Sequence, residues 1–524
     1  MKKRNTAYPP ESSSQKEDLL PRYQNKIQKI PTDILEATLH TLNAQQNYWL
    51  GILSYYNDFT TPFWTALNTF LNKEKDKIKE VHISETIRDY LELYKFNMQI
   101  AKKSTMPSFS GLNDFHRNQT EKFMKALINS LFGIEGEDIK SYTKQHAQTL
   151  NNLMKVYPQA IQEIEKEFGF HFDDGGYLKI AETERFILYQ VYSRDKNISV
   201  RKEAKPIIII PPYVLGANIL GFLPDEKKSY THAYADQGIP TYIRIMKDVA
   251  QVPTLQVMTG EDDARDTRYF CEKIKKKHGK RVTLNGFCQG GFVALADILS
   301  GELDNLVDAF ITCVTPIDGT KSKSLVEYLQ HVPSRFRNLD YAGKEMPSGN
   351  YVVDGKVMSW VYKLKSMEKE APLVVFSRDL SSFDAAHTEE FKINKTAAAL
   401  NRWLIYDRND LPIAITQMSF DSYTIPITED GTLPIKLFGK ELNFKKIKEN
   451  GIKWLLCYAE NDDLVDRDAA LAPVKFLDVE LTAFPKGHGA IATSWSHPDT
   501  ECALHKRFGN NYRGPVRFQL DLEK

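Results

Sequence analysis

A cysteine lies among closely spaced glycines in the segment Gly286-Phe-Cys288-Gln-Gly290-Gly291. The segment follows a predicted strand at residues 281–285 and precedes a predicted apolar helix at 292–299. In that context a G-x-S-x-G sequence holds a nucleophile on a strained strand-to-helix turn. Glycines on both sides leave room for the neighbouring backbone, and the positive end of the helix favours a thiolate. We interpret Cys288 as a nucleophile; the alternative is a buried structural cysteine in a glycine-rich turn.

An acid and a base follow Cys288 in the chain order that this kind of turn predicts. Asp462 comes after a predicted strand at residues 453–458, and His488 comes after the next one, at 479–484. His488 lies between two glycines, which would let its loop turn towards the thiol. We predict a Cys288–His488–Asp462 triad. The alternative for His488 is an exposed loop histidine. The competitors of Asp462 are Asp463, Asp466 and Asp468, for which solvated-loop or helix-start roles are expected.

Two backbone N–H groups are predicted to bind a developing oxyanion. One belongs to Gln289, directly after the nucleophile, and the other to the loop of residues 211–216, where Val214 is the candidate. The remaining histidines and cysteines carry no such pattern. His232 and His497 are predicted to be structural, and Cys313 and Cys457 lie in apolar strands as inert thiols.

Alternating strands and helices must position these residues. Strands are predicted at residues 186–192, 206–210, 238–245, 281–285, 309–314, 453–458 and 479–484, and helices at 229–237, 261–277 and 292–299. Strand–helix alternation predicts a mostly parallel sheet. With the turn at Cys288, the fold class is predicted to be an α/β-hydrolase fold, over residues 181–524. Residues 320–445 interrupt the alternation and are interpreted as an inserted cap.

The first third of the chain has a different pattern. Residues 1–30 are polar and are predicted to be disordered, and residues 31–180 are predicted to form a helical N-terminal region. Its first helix carries a stripe of apolar residues at three-, four- and seven-residue spacing: Leu35, Leu39, Leu42, Trp49, Leu53 and Tyr56. Such a stripe belongs to a core or to a docking surface, and no catalytic cluster is visible there.

The composition excludes several classes of protein. The net charge of +1 gives no field that would attract nucleic acid. The five cysteines have no metal-type spacing and stand in an odd number, so reduced thiols, a cytoplasmic location and no metal are expected. The amino terminus has no apolar signal-like run. The longest apolar stretch, 207–223, is broken by prolines and glycines, so no membrane span is expected.

Several segments together resemble the polyhydroxyalkanoate synthase family. They are Pro211-Pro-Tyr-Val, the turn at Cys288, residues 433–447, Glu460-Asn-Asp-Asp-Leu-Val and Gly487-His-Gly. The likeness covers about two thirds of the chain, from Phe186 onward. It implies a cytoplasmic acyltransferase that takes a hydroxyacyl group from a CoA thioester onto Cys288. His488 would then be the base, and Asp462 would orient His488 or assist the incoming hydroxyl, with no further cofactor.

Two departures from the family pattern keep other functions open. Gln289 stands where the family has an apolar residue after the nucleophile, and residues 244–247 replace a tryptophan-containing run. The alternatives are a hydrolase of the same fold, either a polyester depolymerase or an acyl-CoA thioesterase, and a non-catalytic granule-associated relative. The expected partners are hydroxyacyl-CoA or polyester, a polymer granule surface, and a second copy in a homodimer.

Overall fold

A computed structural model describes residues 19–365, 367–385, 394–493 and 496–500. The chain divides into two compact units. The first lies within Met1–Phe59, Lys103–Gln159 and Glu368–Lys392, and the second within Thr60–Lys102, Ala160–Met367 and Ile393–Lys524.

Helices dominate the amino-terminal part of the chain. They are α1 (Leu19–Lys77), α2 (Ile83–Phe132), α3 (Ile139–Asn151) and α4 (Tyr157–Glu163), the last two joined by a π-helical turn at Asn152–Val156. Asp138 caps α3, its side chain accepting the N–H of Ser141 at 2.7 Å. The helical character predicted for this part of the chain agrees with these elements.

The apolar stripe of α1 lies on an exposed face of the first unit. Leu35, Leu39 and Leu53 are each about 60% exposed, whereas Ala37 and Ala44 on the opposite face are buried. The interpretation of the stripe as core is therefore wrong for these residues. The reason is that the small residues of α1, which allow close approach, form its buried face.

An eight-stranded sheet forms the centre of the second unit. Its strands are β1 (Tyr177–Glu182), β2 (Phe186–Val191), β3 (Ile207–Ile210), β4 (Thr241–Met246), β5 (Val282–Phe287), β6 (Val307–Cys313), β12 (Lys453–Ala459) and β13 (Glu480–Phe484). The order across the sheet is β1-β2-β4-β3-β5-β6-β12-β13. β2 is antiparallel to both of its neighbours, β1 and β4, and the pairs from β4 to β13 are parallel.

For this sheet, the strand predictions are confirmed to within a few residues, with one omission. β1 was not predicted because its residues are mostly exposed or half-buried and show no clean alternation. The central strands were visible because burial on both faces selects continuous apolar runs. Ile207–Ile210, for example, is buried at every position.

Short helices connect the strands and cover the sheet. They are α5 (Tyr230–Ala235), α6 (Pro253–Gln256), α7 (Gly260–His278), α8 (Gln289–Ser300), α15 (Lys445–Glu449) and α16 (Arg467–Ala470). A capping box between Thr259 and Asp262 begins α7, and Gly279, with φ +68°, ends it. The core between helices and sheet includes Ile208, Leu284, Phe292 and Phe310.

A long insertion separates β6 from β12. It contains α9 (Lys323–His331), α10 (Gly355–Lys365), α11 (Met367–Glu370), α12 (Pro372–Ala385), α13 (Lys395–Tyr406) and α14 (Ile413–Thr424). It also contains a small sheet of β7 (Gly343–Glu345), β8 (Tyr351–Val353) and β9 (Leu411–Pro412), and a hairpin of β10 (Thr432–Leu437) and β11 (Lys440–Asn443). The predicted insertion, 320–445, lies within this segment.

The unit boundaries differ from the predicted division at residue 180. Residues 60–102 and 160–180 group with the sheet, and the described residues 368–385 of the insertion group with the first unit. Helical periodicity shows where helices are, but it does not show which unit each helix packs into.

Of the segment 1–30, residues 1–18 lie outside the described part, and α1 already begins at Leu19. No helix in the described part is long and apolar enough to cross a membrane.

Candidate active site

Cys288 sits on a strained turn between β5 and α8. Its φ is +52° and its ψ is −124°, a backbone conformation that residues other than glycine rarely adopt. Its N–H donates to the carbonyl of Cys313 at 2.8 Å, which ties the turn to β6. Only 9% of the residue is exposed. The turn presents the thiol at the carboxyl edge of the parallel sheet.

The glycines around Cys288 are required by contact with the backbone. A Cβ on Gly286 would overlap the backbone of Gly291, and one on Gly290 would overlap the carbonyl oxygens of Ile210 and Pro211. Backbone cannot move aside as a flexible side chain can. The role inferred for these glycines from the sequence therefore has a direct steric cause.

Asp462 and His488 meet at the same edge of the sheet. Asp462 follows β12 and His488 follows β13, and these two strands are parallel neighbours. Nδ1 of His488 lies 2.8 Å from Oδ2 of Asp462. The other carboxylate oxygen, Oδ1, accepts the N–H groups of Leu464 and Val465, each at 2.9 Å. Both oxygens are thus engaged, which orients the carboxylate towards the imidazole.

The pKa values of the pair shift in the directions expected of an ion pair. Burial alone would raise the pKa of Asp462, but the charge of His488 and the hydrogen bonds to Oδ1 and Oδ2 lower it. Burial likewise favours a neutral His488, but the charges of Asp462 and Cys288, with the hydrogen bond to Asp462, raise its pKa to about 10. The site therefore favours an imidazolium at neutral pH.

Nε2 of His488 is the ring nitrogen that faces away from Asp462. It is buried and makes no hydrogen bond of ordinary geometry in the part of the chain that the structure describes. The ring of His488 nevertheless packs edge-on against that of Phe287, the residue before Cys288, with the ring centroids 6.0 Å apart. The predicted base and nucleophile therefore lie beside each other.

The competing aspartates have other places. Asp466 precedes α16, and its carboxylate accepts the N–H of Lys323. Asp468 lies in the first turn of α16 and is exposed, and Asp463 is also exposed. Of the four aspartates in this loop, Asp462 is the one that contacts His488.

Val214, the proposed second oxyanion donor, faces the side chain after the nucleophile. Its N–H points at Oε1 of Gln289 at 3.4 Å, while Nε2 of Gln289 donates to the hydroxyl of Ser419 at 2.8 Å. Gln289 is the first residue of α8, where backbone N–H groups have no partner within the helix. Both proposed donors thus border Cys288, and an amide oxygen lies against one of them.

The loop that carries Val214 is held from two sides. On one side the hydroxyl of Tyr213 contacts both Arg244 and Asp263, a buried pair whose Nη1 and Oδ1 lie 2.8 Å apart. On the other side Asn409 donates its side-chain and backbone N–H groups to the carbonyls of Tyr213 (2.8 Å) and Val214 (3.0 Å). These contacts fix the backbone direction at Val214.

A cavity of about 80 Å³ opens at Cys288. Its lining is mostly apolar and combines the loop of Val214 with the insertion, including Leu325, Leu329, Met358, Val361 and Phe420. The polar side chains that line it are Gln289, Thr416, Ser419, Ser422 and Tyr423. The cavity thus places a mostly apolar wall next to the thiol.

The other candidate residues lie away from this cavity. His232 is buried between Ser229 (2.7 Å) and Tyr177 (3.3 Å), and burial lowers its pKa to about 3. His497 faces Asp499 near the end of the described chain. Cys313 and Cys457 are buried in β6 and β12. No cluster of described residues has the composition of a metal site.

Two features of the site were not found from the sequence. The contact between Gln289 and Ser419 joins residues 130 positions apart, and the Tyr213–Arg244–Asp263 cluster joins a loop, a strand and a helix. One signal in the sequence could have pointed to the second feature, namely the arginine in the predicted strand 238–245. Arg244 is buried there, and a buried charge needs a partner.

Comparison with solved structures finds esterases at low identity. A carboxylesterase of the thaumarchaeon Nitrososphaera gargenis is 13% identical, with a TM-score of 0.34, over 60% of this chain and 91% of its own. Est1E from Butyrivibrio proteoclasticus is 12% identical (TM-score 0.31, 63% and 94%), and the naproxen esterase of Bacillus subtilis is 11% identical (0.31, 64% and 90%). No family model and no curated protein matches the chain. These likenesses are too remote to indicate a substrate. The strand order and the turn at Cys288 are those of the predicted class, and the chain has an α/β-hydrolase fold.

Proposed function

We propose that this protein is an acyl-transfer enzyme that forms a thioester on Cys288. The observation that carries the proposal is the geometry of His488, whose Nδ1 is held by Asp462 while its ring packs against Phe287, the residue before Cys288. A nucleophile beside a base that a third group orients is the arrangement of covalent acyl catalysis.

In the first half-reaction His488 takes the proton of the Cys288 thiol, which leaves a thiolate beside an imidazolium. The thiolate attacks the acyl carbonyl, and the negative charge moves onto the carbonyl oxygen. The N–H of Gln289 would stabilise this oxyanion, joined by that of Val214 once Oε1 of Gln289 moves off it. When the intermediate collapses, the leaving thiolate or alkoxide takes the proton from His488, and the acyl group remains on Cys288.

The second half-reaction decides the class of enzyme. His488 now takes a proton from an acceptor hydroxyl, which attacks the thioester and releases Cys288. If the acceptor is the hydroxyl of a hydroxyacyl chain, the product is a polyester. The resemblance to polyhydroxyalkanoate synthases supports this outcome with hydroxyacyl-CoA as donor, and the apolar lining of the cavity suits the chain.

Hydrolysis is the second candidate, and one observation favours it. The amide of Gln289 and the hydroxyl of Ser419 bond to each other at 2.8 Å, and both line the cavity that opens at Cys288. Such a pair can hold a water molecule where a second chain would otherwise bind. Water would then take the acyl group, as in a depolymerase or a thioesterase.

Incubation with 3-hydroxybutyryl-CoA tests the proposal. Released CoA with insoluble polymer identifies the polymerising acyltransferase, and released CoA with free hydroxy acid identifies the hydrolase. In either case we expect intact-mass spectrometry of rapidly quenched protein to detect an acyl adduct on Cys288. A protein that releases no CoA and whose Cys288 resists iodoacetamide would be a non-catalytic relative.

Matched cysteine variants assign the adduct. Cys288→Ala should abolish both the adduct and the release of CoA. Cys271→Ala removes a thiol buried in α7, outside the cavity, and should leave both unchanged. Full turnover by Cys288→Ala would contradict the proposal.

A further inference from the structure

The exposed stripe on α1 has the spacing of a coiled-coil seam. Its positions are Leu35, Leu39, Leu42, Gln46, Trp49, Leu53 and Tyr56, which follow one another at alternating intervals of four and three residues. This 3.5-residue repeat holds over three heptads, longer than an ordinary surface helix needs. Six of the seven side chains are large and apolar, and those six are 43–65% exposed.

A second heptad repeat lies on the opposite face of α1. Ala37, Ala44 and Gly51 follow at seven-residue intervals and are buried within the first unit. A Cβ at Gly51 would come within 2.6 Å of the Phe376 ring, so this face packs closely. The two faces of α1 therefore differ in their surroundings. The small residues pack within the first unit, and the leucine face is exposed.

From these two repeats we propose that the seam binds the same seam of a second copy of this chain, in a parallel and in-register pair. The one polar residue of the seam, Gln46, supports a second copy as the binding partner. Gln46 is exposed in the middle of the seam, and a parallel pair would place it opposite its own symmetry mate. The two amides can then bond to each other, in the way that one polar residue sets the register of a parallel coiled coil.

The charge of the segment argues against a membrane surface as the occupant. Residues 30–72 contain no lysine or arginine, and the acidic residues near the seam are Asp33, Glu36 and Asp58. Helices that lie on anionic lipid carry basic residues along the polar face. The seam therefore has the apolar face of such a helix without its basic flanks.

Sedimentation velocity of the full chain over a wide concentration range tests the pair. We expect a reversible dimer. The double variant Leu39→Glu/Leu53→Glu should raise its dissociation constant by about 100-fold or more, since it buries carboxylates in the seam. The matched control Thr41→Glu/Ser54→Glu adds the same charge at exposed positions of α1 outside the seam and should dimerise normally. Circular dichroism should show that both variants remain folded, because all four side chains are exposed in the single copy.

Oxidative cross-linking tests the register. Gln46→Cys should form a disulfide-linked dimer that neither Thr41→Cys nor the parent chain forms. A chain that stays monomeric, or a dimer that survives Leu39→Glu/Leu53→Glu, would overturn the proposal. So would a monomer that floats with phosphatidylglycerol vesicles through the same leucines, since lipid would then be the occupant.

Discussion

The carboxylate of Asp462 lies 2.8 Å from Nδ1 of His488, although 26 residues separate them along the chain. They meet because β12 and β13 are parallel neighbours and both loops leave the same edge of the sheet. The same edge carries Cys288 after β5. The three side chains of the proposed triad therefore depend on the strand order of the sheet.

Replacing Asp462 by asparagine should lower kcat by roughly 100- to 10,000-fold, as loss of the orienting carboxylate does in other triads. The amide keeps the shape but removes the negative charge that holds the proton on Nδ1 of His488. Steady-state kinetics with 3-hydroxybutyryl-CoA measures the loss. Asp468→Asn, an exposed change in the same loop, is the control and should keep its rate. Equal rates for the Asp462→Asn variant and the unmodified chain would remove Asp462 from the mechanism.

The pH dependence of stability should carry the signature of His488. Its pKa is raised to about 10 in the folded chain, so its contribution is complete below its ordinary pKa of 6.5 and is lost as pH rises towards 10. We expect the melting temperature of the unmodified chain to exceed that of His488→Gln at pH 6.5 by clearly more than at pH 9. Each pH unit in this window is worth at most about 1.4 kcal/mol. Parallel melting curves at all pH values would contradict the ion pair.

Adding one methyl group at Gly290 should disrupt the turn. Its Cβ would overlap the carbonyl oxygens of Ile210 and Pro211, and we expect a loss of stability of about 1–3 kcal/mol or insoluble protein. Thermal melting and the soluble yield measure the effect. Gly489→Ala places a Cβ where no atom lies within 4 Å and should melt like the unmodified chain.

Removing the hydroxyl of Tyr213 should loosen the loop that carries Val214. Tyr213→Phe leaves Arg244 and Asp263 without their shared partner, and we expect a fall in kcat larger than any change in KM, with about 1–3 kcal/mol of lost stability. Tyr242→Phe is the matched control, because that hydroxyl bonds to His278, outside the site. A similar loss of kcat in both variants would show a general effect of packing instead.

The amino-acid sequence by itself determined the class of fold and the candidate nucleophile. Strands buried on both faces read as continuous apolar runs, as Ile207–Ile210 does, and the glycines around Cys288 record a steric need that is local to the turn. Such features depend on residues within a few positions of one another, so the pattern carries them directly.

Only the tertiary structure decided which groups meet. It brings Asp462, rather than Asp463, Asp466 or Asp468, to His488, and it turns the side chain of Gln289 towards Val214 and Ser419. It also left the leucine stripe of α1 exposed, since periodicity shows that a face is apolar and not what lies opposite it. Contacts between residues far apart in the chain depend on strand order and packing, which the spacing of neighbouring residues does not reveal.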